Sequence, residues 1–272
     1  MKDLPNRMTD RHLRLKAAEM RRAVIEMCRA PGQGYAGQGL ELADLMAVLF
    51  HEHLREGDRF VLSTGHAAIA LYAALWSTGR MTMDQLRTYG LDGTHVEESP
   101  LDDLDGFEVT GGSLGQGPSQ AVGMALGETM RASGAQVVCE LSDGELQEGS
   151  VWEAVMLAGA RKVANLTLLV NDNGEQADGA TAEVLDIGPL APKFEAFGLR
   201  ALPVDGHDIP AIRAALSAAR DHPGPAAVIA RTVPGKGVAA FDRFARVHYV
   251  RTDADTWQAA ADELDAAVEA LQ

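Results

Sequence analysis

Asp143 and Asn173 are the residues on which chemistry can first be built. Each stands just past a short apolar run of strand character, Gln136–Leu141 and Leu166–Val170, and each belongs to a turn, Ser142-Asp143-Gly144 and Asn171-Asp172-Asn173-Gly174. An amphipathic stretch over 146–162 joins the two runs. Strand, helix and strand of these lengths make a β-α-β unit, whose strands pair in parallel. In an open parallel sheet, ligands bind in the crevice beyond the carboxyl ends of the strands. Two side chains at such ends, on neighbouring strands, can converge. A carboxylate with an amide oxygen is hard-oxygen ligation suited to Mg²⁺, which keeps water and takes phosphate oxygens as well. Gly144 lets the backbone approach a phosphate closely, and the N-terminus of the following helix favours an anion. Either turn alone is also an ordinary turn sequence, and the residues by themselves leave that alternative open.

The elements that must position these residues follow from periodicity. Residues 7–29 read as a helix ending near Pro31-Gly32. Residues 33–39, QGYAGQG, read as a glycine-rich loop, and a second helix covers LELADLMAVLFHEHL. Arg59–Ser63 reads as a short buried strand, followed by a helix that opens at Gly65-His66. Residues 90–113 look irregular and are too long for an ordinary connection. Residues 116–133 are helical in pattern. After the central unit come a helix at about 188–197, a strand at 199–204, a helix at 208–220 and a strand at 225–231. A loop over 234–250 precedes a last helix, Asp255 to Leu271. The alternation predicts an α/β fold: a doubly wound, mostly parallel sheet with helices on both faces. No repeat or linker divides the chain, so 1–272 reads as a single domain with an irregular insertion at about 90–113.

The net charge of −15 argues against a nucleic-acid surface or an anionic membrane as partner. The polar N-terminal stretch lacks the apolar core of a signal peptide, and no apolar run reaches membrane-span length. Cys28 and Cys139 read as two reduced thiols of a cytoplasmic protein. No Cys/His cluster has zinc spacing.

The stretch SDGELQEGSVWEAVMLAGARKVANLTLLVNDNGEQADG, from Ser142 to Gly179, resembles the thiamine-diphosphate signature of transketolases. The likeness extends to RFVLSTGHAA and ALYAAL within 59–75, GGSLGQG at 111–117, VDGHDI at 204–209 and RTVPGKGV at 231–238, all in family order. The resemblance implies the thiamine-diphosphate-binding fold, with thiamine diphosphate and Mg²⁺ as cofactors. Asp143 and the Asn173 side chain then resemble metal ligands, with the main-chain carbonyl of Glu175 as the third. Gly144 would contact the diphosphate. His66 resembles a histidine near diphosphate and substrate, His248 falls at the place of another, and His95 is similar to a third that approaches the reacting centre. Leu114 matches a residue whose backbone meets the aminopyrimidine ring, and Gly115 beside it is assigned to the same cofactor site. Glu148 resembles a buried acidic residue that couples cofactor sites across a dimer.

Transketolases have three domains, and the resemblance covers the first. It therefore implies a split enzyme with a second, pyrimidine-binding subunit, an α2β2 assembly and a cytoplasmic location. The implied reaction moves a two-carbon ketol unit from a ketose to an aldehyde. The sequence also departs from the family. Gly34-Tyr35-Ala36-Gly37 stands where a GHPG-type loop carries a histidine, and a tyrosine cannot replace an imidazole as a base at neutral pH. Ser142 replaces the first glycine of Gly-Asp-Gly. The 90–110 stretch is acidic, with Glu97, Glu98, Asp102, Asp103 and Asp105. These departures point to a specialised acceptor rather than the ordinary pentose phosphates. Lys236 has two readings, a phosphate contact or a solvated loop lysine. His12, His51, His53, His207 and His222 read as structural or solvated. Three alternatives compete. A thiamine-dependent 2-oxo acid dehydrogenase or decarboxylase α-subunit shares the signature but not GSLGQG or LSTGHAA. A non-catalytic or regulatory thiamine-diphosphate-binding subunit accommodates Tyr35. A nucleotide-binding Rossmann protein requires a Gly-x-Gly-x-x-Gly after the first strand, which is lacking.

Overall fold

Alternation along the apolar runs decides the architecture, because neighbouring side chains on a strand face opposite ways. The computed structural model describes residues 7–100 and 104–272. In chain order its elements are α1 (Asp10–Arg29), β1 (Gln33–Gly34), α2 (Ala36–Val48), β2 (Arg59–Leu62), α3 (Ala68–Ser77), α4 (Met83–Leu86), α5 (Gly117–Met130), β3 (Val137–Ser142), α6 (Gly149–Arg161), β4 (Leu166–Asp172), β5 (Glu175–Gln176), β6 (Gly179–Ala180), α7 (Thr181–Leu185), α8 (Leu190–Ala196), β7 (Arg200–Asp205), α9 (Ile209–Arg220), β8 (Ala226–Arg231), β9 (Val250–Arg251) and α10 (Ala254–Leu271).

Among the described residues, one sheet of five strands forms in the order β2-β3-β4-β8-β7, and every pairing in it is parallel. Leu62, Val138, Leu169 and Val228 face a layer that contains Leu13 of α1, Leu45 of α2, Ile212 of α9 and Trp257 of α10. Val61, Cys139, Leu168 and Val170 face the opposite layer, with Ala121 of α5, Val155 of α6 and Phe194 of α8. Both sheet faces are thus covered, which is why β3 and β4 are apolar nearly throughout. The doubly wound α/β expectation agrees with this arrangement. Residues 90–100 and 104–113 form turns and bends without helix or strand; Asp102 and Asp103 lie outside the described residues. Among the described residues, no helix is long and apolar enough to cross a membrane.

One expectation is corrected. The stretch 33–39 is not a loop: Gln33–Gly34 pairs antiparallel with Val250–Arg251, and α2 begins at Ala36. The glycines inside the helix serve close approach. A Cβ at Gly37 would lie 2.1 Å from the carbonyl oxygen of Val247, and one at Gly39 would lie 2.7 Å from a Val24 methyl. The loop over 234–250 is thereby pressed against the first turn of α2.

Gly37→Ala puts a methyl group where backbone stands. The substitution is expected to destabilise the fold by about 1–3 kcal/mol or more, as a lower denaturation midpoint in urea. An unchanged midpoint would show that the 234–250 loop is not clamped there.

Candidate functional site

A cleft of about 340 Å³ opens beyond the carboxyl ends of β2, β3 and β4. Of the residues singled out by sequence, His66, Leu114, Gly144, Asn173, Glu175 and His248 line it, joined by Tyr35 and Gln38. They arrive from six separate segments, of which those carrying His66, Gly144 and the Asn173–Glu175 turn follow adjacent parallel strands. Gly65 and Gly117 permit the closest joins. A Cβ at Gly65 would lie 2.5 Å from the Gly112 nitrogen, and one at Gly117 would lie 2.3 Å from Ser63 Oγ.

Asp143 lines an adjoining recess with Gly174 and Thr181 rather than the main cleft. Its Oδ2 accepts from the Gly174 N–H at 2.8 Å and the Thr181 hydroxyl at 3.0 Å, and its Oδ1 accepts from the Gly144 N–H at 2.8 Å. The turns after β3 and β4 are therefore bonded to each other. Burial pushes the Asp143 carboxyl up from its ordinary range, against the pull of these three donors. A carboxylate offers about four lone-pair positions, so capacity remains for a cation. The Asn173 oxygen accepts from the Glu175 N–H at 2.8 Å, and its amide nitrogen donates to Glu41. A carboxylate, an amide oxygen and a main-chain carbonyl at Glu175 make an all-oxygen donor set, which fits Mg²⁺.

The histidines divide. His66 and His248 stand with ring centroids 5.0 Å apart, and Tyr35 lies 5.4 Å from the first and 5.7 Å from the second. Burial lowers His66 to about 4, helped by His248, and burial with the nearby Arg246 lowers His248. Both rings are therefore neutral at neutral pH. Gln38 Nε2 donates to His248 Nδ1 at 2.6 Å, which leaves the ring proton on Nε2. Burial, then Glu98, raises the Tyr35 phenol. His95 is exposed and stands outside the cleft, as does Lys236. Glu148 caps α6 and is exposed on this chain, although Gly115 packs so near it that a Cβ there would meet Glu148 Cβ at 2.9 Å. Of the acidic stretch, Glu98 accepts from the Tyr249 hydroxyl at 3.0 Å and Asp105 pairs with Arg80 at 3.0 Å. His207 bonds Asp44 and His51 bonds Ser77, away from the cleft.

Sequence reading missed three glutamates beneath the cleft. Glu41, Glu140 and Glu145 are each 0 % exposed. Glu145 Oε1 accepts from the Gly115 N–H at 2.6 Å and from the Ser63 hydroxyl. Glu140 accepts from the Thr64 hydroxyl, and Glu41 from two asparagine amides. Each tethers a loop that carries a cleft residue. The signal was present: a carboxyl group inside an apolar strand or helix must be hydrogen-bonded to be tolerated.

The comparisons with known proteins agree with one another. Residues 14–265 match a family model described as transketolase, thiamine diphosphate binding domain. A putative uncharacterized transketolase family protein of Sinorhizobium fredii is 42% identical over 267 residues, covering 94% of this chain and 96% of that protein. A 6-deoxy-6-sulfo-D-fructose transketolase subunit of a Clostridium species is 33% identical over 264 residues, covering 93% and 96%. The solved transketolase of Campylobacter jejuni superposes with a TM-score of 0.86 at 26% identity, over 97% of this chain but 46% of that one.

The buried carboxyls also set a pH dependence. Burial raises Glu140 from 4.5 to about 8. Its folded value exceeds its unfolded one, so the folded state holds the proton more tightly. The contribution is fully present below about pH 4.5 and is lost as pH rises through about 8. Above the range where the buried histidines contribute, from about pH 7 to about pH 9, urea unfolding is expected to show stability falling with pH, less steeply in Glu140→Gln. Equal slopes in the two proteins would contradict this.

Proposed function

The chain belongs to the transketolase family, matching its thiamine-diphosphate-binding domain over residues 14–265, and from that membership we propose that it is the cofactor-holding subunit of a two-subunit transketolase-type transferase. The enzyme would move a two-carbon ketol unit from a ketose donor to an aldehyde acceptor. The observation that carries this reading is the cleft floor: the turns after β3 and β4, bonded through Asp143 and Gly174, present Asn173 and Glu175 to the cavity.

The chain spans 46% of the solved transketolase it superposes on but 96% of the Clostridium subunit. That contrast supports a separate partner carrying the pyrimidine-binding domain, in an α2β2 assembly. The exposure of Glu148 on this chain supports it too, since only a covering neighbour could bury that side chain. The two cysteines are unpaired and buried, in keeping with a cytoplasmic enzyme.

Asp143, Asn173 and the Glu175 carbonyl would hold Mg²⁺, with Gly144 against the diphosphate and the Leu114-Gly115 loop against the aminopyrimidine. Thiamine diphosphate, when bound, supplies the nucleophilic carbon that attacks the ketose carbonyl. His66 and His248, neutral and side by side, hold substrate hydroxyls; His66 can accept or return a proton at a ring nitrogen, and His248, with its proton on Nε2, donates. His95, exposed on this chain and outside the lining of that cleft, stays in the proposal as a third histidine near the reacting centre on the resemblance alone. Tyr35 cannot take up a proton in this range and acts as a wall and hydrogen-bond donor. With Glu98 held close by through Tyr249, the mouth favours an acceptor other than the ordinary pentose phosphates.

Co-expression with a pyrimidine-binding partner should yield ketol transfer that requires both thiamine diphosphate and Mg²⁺. Asp143→Ala should lose cofactor binding, read by titration calorimetry. Tight binding retained by that variant would refute the site. A preference for xylulose 5-phosphate with ribose 5-phosphate, over a panel of ketoses and aldehydes, would refute the specialised acceptor.

A further inference from the structure

Glu41 lies in α2 with no solvent exposure, among Leu40, Leu42 and Leu45. Its Oε1 accepts from two side-chain amides, Asn171 Nδ2 at 2.5 Å and Asn173 Nδ2 at 2.8 Å, while Oε2 has no partner among the described residues. The Asn171 amide is fixed at both ends, because the Thr232 hydroxyl donates to its oxygen. The Asn173 amide is fixed at its nitrogen, and its oxygen spends one lone pair on the Glu175 N–H. The second lone pair stays open, on a residue that lines the cleft.

An asparagine amide has two ends of nearly equal size, and half a turn about its last bond exchanges them. Only the oxygen end can ligate a cation; the nitrogen end presents hydrogens to it. We infer that Glu41 is a positioning residue that selects the metal-binding end of the Asn173 amide, an inference that rests on the reading of Asn173 as a metal ligand. The Oε1 of Glu41 takes hydrogens from two amides at once, so the Asn173 nitrogen must face α2 and its oxygen must face away. Groups that orient a metal ligand in this way change metal affinity about 10–100-fold when removed. The geometry rests on the pairing of a helix glutamate with two asparagines at one strand end.

The test uses Mn²⁺ as a paramagnetic probe, titrated into the chain with thiamine diphosphate. Glu41→Leu is expected to weaken Mn²⁺ binding about 10–100-fold. Glu41→Gln, which keeps an acceptor in place, is expected to restore most of it. Unmodified affinity in Glu41→Leu overturns the inference, as does Glu41→Gln binding as weakly as Glu41→Leu. Asp143→Ala, measured alongside, separates two failures. If the unmodified chain binds Mn²⁺ no better than Asp143→Ala, the metal-site reading falls and takes the inference with it. If Asp143→Ala loses binding and Glu41→Leu does not, the inference alone falls. A second measurement needs no substitution: in the metal-free chain, the side-chain amide hydrogens of Asn173 should exchange slowly with solvent by NMR. Exchange at the rate of a free amide overturns the inference even if Glu41→Leu does not fold.

Discussion

Three carboxyl groups without solvent contact hold the cleft together from below. A carboxyl group in an apolar interior is costly, and the cost is offset only by donors that reach it. Glu140 draws in Thr64, Glu145 draws in Ser63 and Gly115, and Glu41 draws in Asn171 and Asn173. Those donors sit in the loops after β2 and before α5 and at the carboxyl end of β4. The penalty for leaving any of these glutamates unpaired is thus converted into positional order at the cavity surface. Each keeps one oxygen without a partner among the described residues, so the order is held at some cost in stability. Functional sites commonly show that exchange.

Much of the architecture was legible from pattern alone. The apolar runs of β3 and β4 and the helix between them predicted a parallel pair, and the pair is there. Asn173 and Gly144 could be placed at the cleft because turn residues past strand ends have a defined place in a parallel sheet, whereas Glu175 came from the family resemblance alone. Other features depended on distant backbone. Gly37 and Gly39 read as loop residues because glycine weakens helices; here they admit Val247 and Val24 instead, which periodicity cannot register. Glu41 and Glu140 read as parts of their helix and strand, since their partners come from other elements. Asp143 was legible as a candidate at the end of β3 but not its facing, which follows from the Gly174 and Thr181 donors.

The electrostatics of the cleft differ from those of the surface around it. The chain carries a net charge of −15, yet His66 and His248 are both held neutral by burial. A neutral pair can hydrogen-bond a neutral ligand without first expelling a counterion. Tyr35 and Tyr249, with centroids 4.9 Å apart, extend this uncharged wall to Glu98. The negative surface and the neutral interior meet there, at the mouth.

The antiparallel pairing of Gln33–Gly34 with Val250–Arg251 has a bearing on how the protein is made. Tyr35 and Gln38 lie near one end of the polypeptide and His248 near the other, and all three line the same cavity. A chain emerging from the ribosome can finish the central strands early, but it lacks one wall of the pocket until His248 has been translated. Loading with coenzyme is consequently a late event in biogenesis, after the residues that close that wall have been made.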